Sequence, residues 1–100
     1  MDWAEQSKED TARTICNHFE LGDDIAESPA MIEACYDLQI EHQYNYGLDS
    51  SLACNPYHPL DAQDLDHIEG ALKGCLSNGR ADGPAFDLLL SIFDIKRKGA

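Results

Sequence analysis

An all-α fold, a small four-helix bundle-like domain, is predicted by three observations. Apolar residues recur every three or four positions in four separate stretches. Residues that start and stop helices bracket those stretches. The 100-residue chain is 43% hydrophobic, enough for one modest core despite a formal net charge of -12. One domain, residues 1–100, is therefore expected.

The first helix runs from about Trp3 to Leu21, with Asp2 as N-cap, Ala12, Ile15, Cys16 and Phe19 on one face, and Gly22 as its stop. DDIAE reads as a linker. Ser28 and Pro29 then supply an N-cap and a proline at the first helical position, and the second helix continues to Tyr46, where Gly47 ends it. Its core stripe is Met31, Cys35, Leu38 and His42.

Residues 47–60, GLDSSLACNPYHPL, carry Pro56 and Pro59 and form either an irregular loop or a connection enclosing a short extra helix. Asp61 and Asp64 fall at N-cap and N3 of the next helix, whose apolar positions are Leu65, Ile68, Leu72, Cys75 and Leu76. SNGRADGP is a turn, with Asp82 or Gly83 capping the last helix, PAFDLLLSIFDIKRKGA. Asp87, Ser91 and Asp94 give that helix one narrow polar stripe. A helix so apolar is either central in the bundle or shared with a second copy. Phe86, Leu88, Leu89, Ile92 and Phe93 are thus candidate homodimer contacts, and Lys96, Arg97 and Lys98 suit the negative helix end.

The start, MDWAEQSKED, lacks the features of a secretory signal, and no run approaches the roughly 18 apolar residues of a membrane span. A cytoplasmic location without membrane partners is expected, the host cytoplasm if the chain is phage-encoded. Cys16, Cys35, Cys54 and Cys75 show no CxxC pairing. Three of them sit on apolar helix faces, so free thiols are expected ahead of disulfides or metal. His67 with Asp64 or Asp66 lacks the histidine pair of a zinc helix, and DLDHIE lacks the glycine of a calcium loop. No metal and no cofactor is expected.

Charge is the informative feature. Residues 14–72 contain no lysine or arginine but twelve acids, while the remaining segments hold seven acids against seven bases. The whole net charge of -12 thus comes from the middle of the chain. Within it, Glu33, Asp37 and Glu41 stand at consecutive i,i+4 spacings, about 6 Å apart along a helix axis with no cation to relieve their repulsion. Tyr36, Ile40 and Tyr44 share that face, opposite the core stripe. Together with Asp64, Asp66 and Glu69 these residues form a candidate partner-binding surface. The bland counterpart is a neighbouring helix covering Tyr36 and Ile40. All four histidines lie in the same segment, and anionic surroundings are expected to hold some of them above the usual value of about 6.5.

No nucleophile elbow, phosphate-cradling loop or HExxH motif occurs, so no enzymatic activity is expected. Direct nucleic-acid binding is disfavoured because the basic residues are few and mostly terminal. The inverse is natural: carboxylates at helical spacing fit a basic groove built for phosphates.

A short, acidic, helical chain without enzymatic motifs resembles the anti-CRISPR inhibitors of bacteriophages and mobile elements. The resemblance covers size, composition and the charge of segment 14–72. It implies a DNA mimic that docks on a basic ribonucleoprotein, a CRISPR effector complex, and blocks target DNA recognition. The alternative is an immunity or regulatory protein that neutralises a basic toxin, nuclease or transcription factor through the same anionic face. A third reading is a structural subunit whose acids serve solubility alone.

Overall fold

A computed structural model describes residues 3–52 and 58–95, which form five helices with no strand among the described residues. They are α1 (Trp3–His18), α2 (Asp23–Ala26), α3 (Pro29–Tyr46), α4 (Ala62–Ser77) and α5 (Pro84–Ile92). The expectations for Asp2, Cys54, Pro56, Lys96, Arg97 and Lys98 fall outside these residues.

The expected caps start α3 and α4. Ser28 Oγ accepts from the Met31 N–H at 3.2 Å, with Pro29 in the first turn. Asp61 and Asp64 exchange side-chain and backbone bonds in a capping box, at 2.8 and 3.2 Å. The carboxylates of Asp61 and Asp64 are therefore holding a helix start.

Two helix ends differ from expectation, for one reason. α1 stops at His18 because Glu20 turns left-handed, with φ 57, and the Leu21 N–H folds back to the Cys16 carbonyl at 2.9 Å. Gly22 instead caps α2, so DDIAE contains a helical turn rather than a plain linker. α5 ends the same way at Ile92. Asp94 has φ 55, and the Ile95 N–H donates to the Leu90 carbonyl at 2.8 Å. Aspartate tolerates this conformation better than most residues, and it ends α5 earlier than the sequence pattern implied.

α3 is the hub and packs against each of the other four helices. Its core stripe is as expected: Met31, Cys35, Leu38 and His42 are all buried. Around it lie Ile15 and Cys16 from α1, Ile68, Leu72 and Cys75 from α4, and Phe86 and Leu89 from α5. Cys16, Cys35 and Cys75 are free and buried, and burial pushes the Cys16 and Cys75 thiols up to about 11 and about 12.

The described parts of residues 47–60 contain no helix. Leu52 nevertheless belongs to the core, at 1% exposure. A buried clamp fastens it: Gln39 Nε2 donates to the Leu52 carbonyl at 2.7 Å and to Thr11 Oγ1 at 2.8 Å. The Leu52 N–H returns a bond to Gln39 Oε1 at 3.0 Å, and the Thr11 hydroxyl donates to the same Leu52 carbonyl at 2.9 Å. One side chain thus satisfies both backbone groups of a loop residue inside the core.

Candidate functional site

Of the twelve acids in residues 14–72, eight are exposed: Glu20, Asp23, Asp24, Glu27, Glu33, Asp49, Asp61 and Asp66. Asp37, Asp64 and Glu69 are half-buried, and Glu41 alone is buried. The acids of the middle segment thus lie largely at the surface, where basic residues from outside the segment meet some of them: Lys73 pairs with Glu69 at 3.8 Å, Arg80 acts on Asp37, and Lys8 feels the charge of Glu33.

The expected single face on α3 is divided, however. α4 runs antiparallel to α3, since the Tyr46 ring lies 4.8 Å from that of His67 and the Cys75 thiol reaches the Asp37 carbonyl at 3.6 Å. Asp64, Asp66 and Glu69 therefore lie toward the C-terminal end of α3. Glu33 lies toward the other end, about 20 Å away at 1.5 Å per residue. Between them, α4 covers the row. Asp37 is half-buried, and burial raises its carboxyl above the usual range while Arg80 opposes the shift. Tyr36 is half-buried too, with Lys8 Nζ 5.7 Å from its ring centre. A central helix has two packed flanks, and the neighbour that could cover Tyr36 and Ile40 does so in part.

Glu41 departs furthest from expectation. At 6% exposure it lies against Gly74 of α4, and Asn78 Nδ2 donates to its Oε2 at 2.8 Å. A methyl group on Gly74 would meet Glu41 Cγ and Cδ at 2.6 Å and overlap Oε1. The missing side chain at Gly74 makes the berth for this carboxylate. Among the described residues no cation lies within ion-pair distance of it.

Beside Glu41 an open cleft of about 500 Å³ separates the C-terminal half of α3 from the turn after α4. Ile40, Gln43, Tyr44 and Leu48 line one side, and Asn78 and Arg80 the other. Tyr44 is 86% exposed and Leu48 77%, which puts two large apolar groups in water at the mouth of the cleft.

His42, His67 and Tyr46 form a second cluster, their ring centres 4.7 to 5.4 Å apart. His42 Nδ1 is buried with no hydrogen-bond partner among the described residues. Burial, and then the neighbouring His67, push His42 below its usual value, so it is not one of the histidines raised by anionic surroundings. Among the described residues no group of three or more His, Cys, Asp or Glu side chains converges as a metal site.

The α5 candidates divide between core and surface. Phe86 and Leu89 are buried in the chain's own core. Phe93 packs edge-on against Phe19 at 5.3 Å, and Leu88 packs on the core while remaining half-buried. Ile92 is half-buried. A second copy could therefore touch only the outer parts of Leu88, Ile92 and Phe93, because Phe86 and Leu89 have no free surface to give.

Sequence reasoning missed Gln39, Gly74, Asn78, Arg80 and Leu48. Gly74 was the available signal, a glycine inside a strong helical pattern that calls for a packing reason. Among the described residues no helix is long and apolar enough to cross a membrane. The chain matches no family model, no curated protein and no solved structure.

Proposed function

We propose that this protein is a non-enzymatic inhibitor that docks an anionic surface onto a basic, nucleic-acid-binding partner. A CRISPR effector complex is the partner we favour, with target DNA recognition as the step blocked. One observation carries the reading: eleven of the twelve acids in residues 14–72 reach solvent, in a segment without one lysine or arginine. Ordinary solvated surfaces intersperse both signs, because like charges repel and opposite pairs return a few tenths of a kcal/mol. A surface with a strong excess of one sign steers a cationic groove toward itself and competes with the anion that groove was built to hold. The neutralisation of a basic toxin, nuclease or transcription factor draws on the same surface.

The test is competition. Labelled target DNA and a guide-loaded effector complex are titrated with the protein at low and at moderate salt. Displacement that weakens with salt supports the reading. Reversal of the exposed Glu27, Glu33 and Asp66 to Lys should weaken displacement at least tenfold while helicity is retained. DNA binding unaffected by excess protein, across effector types, would sink the CRISPR assignment, and the same titration on a basic nuclease tests the alternative.

A further inference from the structure

Glu41 and the cleft beside it ask for an occupant. Glu41 is only 6% exposed over the whole residue, and it lines the cleft. Such a carboxylate is ordinarily repaid by a cation or by several hydrogen bonds. Here the side-chain bond to it comes from the neutral Asn78 amide, and no cation among the described residues pairs with it. Next to this carboxylate the cleft opens to solvent, walled by Ile40 and Leu48 and faced by the exposed Tyr44 ring.

We propose that the cleft is an anchor site for one arginine side chain of a partner protein. The inference rests on the proposed function for the partner's basic character, and it adds where and how that partner is gripped. Each wall matches a part of the occupant. The guanidinium supplies the charged donors that Glu41 lacks, the methylene stem lies along Ile40 and Leu48, and Tyr44 offers an aromatic face. Arginine fits better than lysine because its planar head both stacks and donates in a fork, and is less strongly hydrated. Arg80 lines the same cleft but is exposed and unpaired with Glu41, so its charge opposes entry rather than filling the berth. The exposed acids around the molecule bring a basic surface near, and the cleft holds one residue of it.

The probe is N-acetyl-arginine N-methylamide, followed by backbone and side-chain amide shifts in the ¹⁵N-labelled protein. Saturable shifts are expected at Tyr44, Leu48 and the Asn78 side chain. Glu41→Gln, which keeps the shape and an acceptor for Asn78, should weaken binding about tenfold, the size of one charge-assisted bond. Tyr44→Ala alters a residue 86% exposed, cannot unfold the core, and should weaken binding severalfold. The corresponding lysine derivative should bind more weakly.

No saturable shift at the cleft, or shifts indifferent to both substitutions, would overturn the inference. Binding seen only in Arg80→Ala would overturn it as well, by giving the cleft to this chain's own arginine. The two proposals fail separately. If surface charge reversal abolishes effector binding while the arginine probe leaves the cleft untouched, the anchor is wrong and the function stands. If the probe binds and no basic partner is displaced from DNA, the function is wrong and the anchor stands.

Discussion

Replacing Gln39 by Met tests whether the buried clamp carries the loop. Methionine keeps the length and volume of glutamine, so the change removes hydrogen bonds without opening a large cavity. Gln39 is fully buried and makes three bonds, two donated by Nε2 and one accepted by Oε1. Without it the Leu52 carbonyl keeps the bond from Thr11, but the Leu52 N–H has no acceptor left. One orphaned buried donor costs about 1–3 kcal/mol. The lost bond to the Thr11 hydroxyl, which can still donate, adds a smaller amount, so the expected loss is about 2–3 kcal/mol. For a chain of this size that corresponds to a fall in Tm of roughly 10–20 °C. Thermal and urea unfolding followed by circular dichroism measure it, and amide exchange at Leu52 gives the local readout. Protection of the Leu52 amide should vanish in the variant. A change below about 0.5 kcal/mol with Leu52 still protected would refute the argument that this bond set, rather than apolar packing, holds the loop.

Gly74→Ala should fail to deliver the roughly 1 kcal/mol that alanine normally gains over glycine inside a helix, because the new methyl meets Glu41. Pairing it with Glu41→Ala should restore the gain, and a double-mutant cycle in urea reads the coupling. Asp61→Ala removes half of the capping box and should cost about 1 kcal/mol by thermal unfolding. For His42 the folded form resists protonation, so below the ordinary value of 6.5 the unfolded chain binds the extra proton and stability falls. The stability it contributes is complete above pH 6.5 and declines as pH drops below it. Urea midpoints across pH 5–8 should therefore slope less in His42→Phe than in the parent.

Helix starts were legible because their signals are local. Ser28 with Pro29, Asp61 with Asp64, and Pro84 each act within one turn of where they stand. Helix ends were less so. Glu20 and Asp94 adopt a conformation usually left to glycine, so the pattern carried the first helix on to Leu21 before Gly22 and gave no stop at Asp94. The anionic surface could be read because charge adds up without knowledge of packing. The single face on α3 could not, because Glu41 meets Gly74, thirty-three positions away, and Gln39 meets Leu52 in a loop. Glutamate and glutamine read as surface residues until a distant partner pays for their burial.

The polar residues buried along α3 also restrict how the bundle can assemble. A purely apolar central helix could slide or turn by one residue and still find greasy neighbours. Advancing α3 by a single position rotates its side chains by about 100 degrees. Gln39 would then leave the Leu52 backbone, Glu41 would leave its berth at Gly74, and at least two buried polar groups would be stranded at once. The register of the hub helix is thus fixed by a two-point lock. Shape complementarity alone would have left neighbouring registers close in energy, and the cleft, whose one wall is α3, inherits its geometry from that lock.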